Sequence, residues 1–317
     1  MTTFIEKLFS TRRDYDKETR RHRFLLDAYA GTGGFQGKER APFAGYWGAA
    51  AELYARASLG LVLGAETDED VETYLDRFMR EDMPKFVKRA GRAHYPNYVA
   101  PSIDIPLSYM FRKPNVRAPD DMGALQLFLD DANGAGMTWD DMLRDVIMVR
   151  ASVLGWCPVA FDIFGEDTID PNTGKARERT ALDDQREGRR PVAVPLFPGN
   201  LLKWQVDDTG VLQWVKLKQT RYESSDPLND AKCITRITIW EPHRYRWWDV
   251  ADDERGERVI IATKEGKNPF GVVPVLVARC KPLPDDPFMG IPRASAASDE
   301  ARRLFNALSE LDEHMRA

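Results

Sequence analysis

The sequence predicts an α+β fold: a helical N-terminal half, a β-rich second half built as a small barrel or sandwich, and a long C-terminal helix. Two observations predict it. Through the first half, apolar residues recur at three- and four-residue spacing, whereas from about residue 159 to 279 short β-branched and aromatic runs alternate with polar residues between turn formers. A proline-rich break from Pro282 to Pro292 precedes a return to helical spacing. The expected division is 1–158 helical, 159–288 β-rich and 289–317 a terminal helix.

Arg12 to Tyr29 reads as a basic helix ended by the glycine-dense Gly31-Thr32-Gly33-Gly34. Tyr46 to Leu63 is apolar and unbroken, so a buried helix is expected there, closed by Gly64. Thr67 and Asp70 resemble a capping box ahead of Val71, Leu75, Phe78 and Met79, and Pro84 is expected to interrupt that helix. Thr138 and Asp141 repeat the signal before Trp139, Leu143, Val146, Ile147 and Leu154, a core helix running to Gly155.

A short link then feeds a strand from Val159 to Phe164. Asp170 to Gly174 forms a turn, and the charged stretch Lys175 to Arg190 reads as a loop. Strands are expected at Val192–Phe197, Leu201–Val206, Leu212–Lys218, Ile234–Trp240, Tyr245–Val250, Val259–Thr263 and Val273–Ala278, with Asp207-Asp208-Thr209-Gly210 closing a hairpin. Near the end, Leu304, Leu308, Leu311 and Met315 step by four, three and four, a narrow apolar seam on the terminal helix.

The 317 residues are 43% hydrophobic with a net charge of −5. That balance excludes a protein that grips nucleic acid through broad phosphate neutralisation. No apolar run approaches the roughly 18 residues of a membrane span, and Met1 to Arg23 is too charged for a secretory signal. A protein assembled in the cytoplasm is expected.

No chemical motif stands out. Gly31 to Gly34 lacks the Lys-Ser/Thr of a phosphate loop, and Asp170, Asn172 and Gly174 lack the closing Glu of a calcium loop. His22, His94, His243 and His314 are dispersed, and Cys157, Cys233 and Cys280 read as buried thiols without metal spacing. Asp162, Glu166 and Asp167 leave a carboxylate-dependent nuclease or glycosidase as a minor alternative. The cation–aromatic run Arg244, Tyr245, Arg246, Trp247 and Trp248 reads as core or subunit interface before it reads as a base-stacking surface. Arg12, Arg13, Lys17, Arg20, Arg21 and Arg23, diluted by Asp14, Asp16 and Glu18, read as a solvated helix face. No catalytic residue, cofactor or metal ligand is expected.

Four stretches resemble the portal proteins of tailed bacteriophages: Arg92–Arg112 (RAHYPNYVAPSIDIPLSYMFR), Met142–Phe164 (MLRDVIMVRASVLGWCPVAFDIF), Pro198–Val215 (PGNLLKWQVDDTGVLQWV), and Asn268–Arg316 with its NPFGVVPVLVARCKP strand and GIPRASAASDEARRLFNALSELDEH helix. Together they cover roughly half the chain as patterns. The resemblance implies a structural, non-enzymatic subunit of a virion ring, usually of twelve copies, at one capsid vertex. Its implied partners are the major capsid protein, the terminase large subunit, a head–tail adaptor, and double-stranded DNA that passes without sequence-specific binding; no membrane is implied. On that reading the chain holds the wing and first stem helix, and the sequence stops at Ala317 where portals continue. Glu310 and Glu313 would face the channel, and Leu304, Leu308, Leu311, Trp247 and Trp248 would pack between subunits. The alternative in the same class is another head–tail connector or tail structural protein.

Overall fold

The structure, a computed structural model, describes residues 3–35, 73–78, 81–113, 115, 123–164, 190–223, 232–253, 256–283 and 286–316. The expected helix at Tyr46–Leu63 with Gly64, the Thr67–Asp70 start with Val71 and Met79, the turn at Asp170–Gly174, nearly all of the charged loop after it, and Glu166 and Asp167 lie outside those residues.

The helices are α1 (Phe4–Phe9), α2 (Tyr15–Ala30), α3 (Met83–Arg92), α4 (Val99–Met110), α5 (Gly123–Asp130), α6 (Trp139–Met142), α7 (Met148–Leu154) and α8 (Ala294–Arg316), with a π-helical turn, Leu143–Ile147, joining α6 to α7. The strands are β1 (Trp156–Phe164), β2 (Arg190–Pro195), β3 (Leu201–Val206), β4 (Leu212–Glu223), β5 (Lys232–Trp240), β6 (Arg244–Asp252), β7 (Arg258–Lys267), β8 (Val275–Arg279), β9 (Pro282–Leu283) and β10 (Asp286–Gly290). The α+β class is as read from the sequence.

Local chemistry accounts for the boundaries. Gly31, at φ +68, ends α2 by donating its N–H to the Asp27 carbonyl, as its glycine-dense context predicts. Thr138 caps α6, its hydroxyl accepting from the Asp141 N–H at 3.1 Å. Two expectations are corrected. Pro84 opens α3 instead of interrupting a helix, because at the first turn its missing N–H has no partner to lose. The terminal helix starts at Ala294, not near Met289, because Asp286–Gly290 pairs with Pro282–Leu283 as a strand.

The β region forms two main antiparallel sheets and a two-stranded ribbon. One is a five-stranded meander, β3-β4-β5-β6-β7, and the other runs β2-β1-β8. Both are open, so the architecture is two packed sheets and not a closed barrel. The expected Asp207–Gly210 hairpin joins β3 to β4, with the Asp207 N–H donating to Val211 O at 2.9 Å. Pro158 is tolerated in the central strand β1 because β2 pairing begins only at Val159.

Alternation along β1 divides the core. Trp156 and Ala160 meet Leu201, Val215, Leu217, Trp240 and Val275 between the two sheets. Cys157, Val159 and Phe161 point the other way, into a cluster with Phe128, Met142, Ile147 and Ala151 from the α5–α7 stretch. A third cluster joins α2, α3, α4, α7 and α8 through Leu25, Phe86, Ile103, Leu154, Ala301 and Phe305. The C-terminal helix therefore belongs to the same packed layer as the N-terminal helices.

The chain enters and leaves the β region at one crossing. Gly155, at φ +95, lies against Gly290, and a Cβ on either would overlap the carbonyl oxygen of the other. Cys280 N–H to Gly155 O at 3.0 Å and Arg293 N–H to Ser152 O at 3.0 Å fasten it.

Candidate functional site

The terminal helix α8 carries two different flanks. Ala294, Ser298, Ala301, Phe305 and Ser309 are its buried face. With 3.6 residues per turn, Asp299, Arg302, Asn306 and Glu313 fall on one side of that face and Leu304, Leu308, Leu311 and Met315 on the other.

The polar flank is fastened to the body of the same chain. Arg21 grips Asp299 with two bonds of 2.9 and 2.8 Å, Arg302 reaches Asp76 at 2.8 Å, Asn306 accepts from the Asp76 N–H at 2.7 Å, and Arg92 reaches Glu313 at 3.0 Å. The apolar flank is left outward: Leu304 is 37% exposed, Leu308 36%, Leu311 53% and Met315 73%. The predicted seam thus exists as a row of side chains uncovered within the chain. Glu310 is exposed beside His314, at 3.8 Å, while Glu313 is occupied by Arg92.

Helix α4 adds a second uncovered apolar row. Val99, Ile103 and Leu107 are buried, whereas Tyr98, Ile105, Tyr109 and Met110 are exposed. Its Asp104 bonds Tyr29 of α2 at 2.8 Å, so Tyr98, Ile105 and Tyr109 lie on the flank turned from α2.

Trp247 and Trp248 fall on opposite faces of the meander and are both engaged within the chain. Arg236 stacks over Trp247 at 4.0 Å and forks onto Asp249 at 2.7 and 2.8 Å, and Arg221 also reaches Asp249 at 3.0 Å. Trp248 packs edge-on to Phe4 at 5.9 Å, in the small cluster that seats α1 on the meander. There the Lys216 ammonium donates to Lys7 O at 3.1 Å, Leu8 O at 3.1 Å and Ser10 Oγ at 3.0 Å, capping the carbonyl end of α1. Burial, with the charge of Lys203 adding, brings Lys216 down to about 8. The expectations did not include α1, although Thr3-Phe4-Ile5-Glu6 has capping-box spacing and both reciprocal bonds form.

The basic cluster is not uniformly solvated. Arg12 turns inward, its side chain 12% exposed, over Trp204 at 4.6 Å and Tyr15 at 5.1 Å, donating to Leu201 O at 2.8 Å and paired with Glu18. Burial raises the Glu18 carboxyl against the pull of Arg12. His22, close by, is brought down to about 4 by burial and by Arg12. Arg12, with Glu18 as its partner, joins the start of α2 to β3, and His22 bonds the backbone of Leu154 on α7. His94, His243 and His314 are exposed and apart.

Cys157 is buried, its thiol pushed up to about 12 by desolvation, but Cys233 and Cys280 are only half-buried, because β5 and the turn after β8 leave them at the margin. Asp162 is exposed near the end of β1, and its neighbours Glu166 and Asp167 are outside the described residues. Among the described residues no group of three His, Cys, Asp or Glu side chains could hold a metal, and no helix is long and apolar enough to cross a membrane. No protein-family model and no curated protein matches the chain.

Proposed function

We propose that this chain is a structural subunit of a tailed-phage portal, the wing and first stem helix of a ring at one capsid vertex. Double-stranded DNA passes through that ring, and the major capsid protein, terminase and head–tail adaptor dock on it. The observation that carries this reading is the two-flanked α8. One flank is tied to its own chain by Arg21, Arg302, Asn306 and Arg92, while Leu304, Leu308, Leu311 and Met315 remain uncovered at coiled-coil spacing. A helix held so firmly with a leucine row outward is built to meet another helix, and exposed Tyr98, Ile105 and Tyr109 on α4 extend the apolar surface. The net charge of −5 suits a conduit that does not hold phosphates.

Electron microscopy of the purified protein tests the reading: closed rings with an axial channel are expected. Leu308→Asp combined with Leu311→Asp should yield folded monomers, since both residues are exposed in the single chain. Wild-type protein that never closes into a ring at any concentration sinks the proposal. Rings that bind no packaging motor would move it to another connector.

A further inference from the structure

The outer edges of the two main sheets are not alike. The edge of β3 is met by the link ahead of α2, where the Arg12 N–H donates to Leu202 O at 2.9 Å. The edge of β2 is met by the chain after α5, where the Ala193 N–H donates to Ala132 O at 2.7 Å. β8 is only five residues long. β7 runs for ten, from Arg258 to Lys267, and no strand or side chain among the described residues bonds the backbone groups on its outer side.

The ladder identifies those groups. The Asn268 N–H donates to His243 O at 3.1 Å and the Asp253 N–H to Glu257 O at 2.9 Å, which fixes the bonded pairs at both ends of the β6–β7 ladder. Bonded and unbonded pairs alternate between them. Val259, Ala262, Lys264 and Gly266 therefore turn their N–H and C=O groups toward β6, and Arg258, Ile260, Thr263, Glu265 and Lys267 turn theirs out. The uneven step from Ile260 to Thr263 is a bulge: Val250 faces Ile260 and Asp249 faces Ala262, which leaves Ile261 as an extra residue.

That bulge decides what the edge fits. An unbulged strand that meets its own copy about a two-fold axis must set one residue opposite itself, or outward groups fall against inward ones. On β7 the extra residue lifts that restriction. With the axis between Ile261 and Ala262, Arg258 falls opposite the second copy's Glu265 and Ile260 opposite its Thr263, each pair occurring twice, and all four positions turn their backbone groups out. An axis one residue further on would set Arg258 against Lys267, and Thr263 against inward-turned Ala262. Arg258 makes no ion pair among the described residues and lies over Phe9 at 4.5 Å, while Glu265 has only the exposed Arg244 at 3.7 Å.

We infer that β7 pairs with β7 of a second copy of this chain, antiparallel about a two-fold axis between Ile261 and Ala262, joining two meanders into one continuous sheet. The contact goes beyond the ring reading and does not rest on it. It uses the same surface on both partners, so it joins chains or whole rings in pairs and does not itself close a ring. Main-chain bonds hold it, and the cross-strand pairs of Arg258 with Glu265 select the register. Lacking a large apolar centre, it belongs among weak contacts of less than about 1,200 Å² and forms in concentrated solution. Charges and a bulge are also the devices by which a sheet edge stays bare. Their self-complementary order on β7 turns protection against other strands into selection of one.

Sedimentation equilibrium over a range of concentrations tests this. The parent is Leu308→Asp with Leu311→Asp, in which the α8 seam is disabled, with the wild type run beside it. The parent is expected to dimerise reversibly when concentrated. Thr263→Pro removes an outward N–H while leaving the β6 ladder whole, and should weaken pairing at least about tenfold. Glu265→Arg and Arg258→Glu, each setting like charges opposite one another, should do the same, and an equimolar mixture of those two should pair as the parent does. All three side chains are exposed, and circular dichroism melting checks each fold. Dimers untouched by Thr263→Pro, or a mixture that stays monomeric although its members fold, would overturn the β7 contact. A parent and wild type that never pair at any concentration would show an edge kept bare by its charges and also overturn it. Pairing without rings keeps this inference and sinks the portal reading; rings without pairing do the reverse.

Discussion

Arg12 lies over the ring of Trp204, its guanidinium carbon 4.6 Å from the ring centroid, and this pair joins the start of the helical layer to the first strand of the meander. The same guanidinium pairs with Glu18 and donates to Leu201 O, so one side chain holds an ion pair, a ring face and a strand carbonyl.

Arg12→Met is expected to cost about 3–5 kcal/mol, because it leaves the Glu18 carboxylate without its partner in a desolvated joint. Adding Glu18→Gln should return part of that loss. Urea unfolding of the two variants measures it, and a double variant no more stable than Arg12→Met would refute the account.

His22 gives the joint a pH dependence. Its folded value of about 4 lies below the ordinary 6.5, so between these the unfolded chain binds the extra proton. The contribution is complete above about 6.5 and is lost as pH falls toward 4, about 3 kcal/mol over the full range. Melting temperature measured against pH should show this slope, and His22→Gln should flatten it.

The strands were largely legible because β-branched and aromatic runs are set between turn formers: Leu201–Val206 and Leu212 onward fall where the pattern puts them. The joint was not. Arg12 and Glu18 sit in a charged run whose periodicity is that of a solvated helix face, and only the approach of Trp204 and Leu201, nearly two hundred positions later in the chain, turns Arg12 inward. The buried face of α8 was hidden for a different reason. Ala294, Ser298, Ala301 and Ser309 carry little apolar signal, so the leucines at Leu304, Leu308 and Leu311 dominate the pattern although they lie on the uncovered flank.

Ser298 on that buried face has no exposed surface, and its hydroxyl has no hydrogen-bond partner among the described residues. Ser298→Ala should raise stability by about 1 kcal/mol, since it removes an unpaired buried polar group at nearly constant volume. Denaturant midpoints decide it; a destabilised variant would show that the hydroxyl is satisfied.

Gly155→Ala and Gly290→Ala should each cost more than about 3 kcal/mol, the first through its positive φ and both through overlap at the crossing. A crossing that yields by local movement would show as a loss below about 1 kcal/mol.

That crossing also bears on the entropy of closing the chain. Leu154 and Ala294 belong to the same helical core, yet the whole β region lies between them in the chain. If the helices met first, they would have to close that entire length as a loose loop. Sheets that form first bring the two ends to neighbouring peptides and lower the closure cost by about 3 kcal/mol. On that order the meander and its companion sheet would act as the scaffold on which α8 returns to α2.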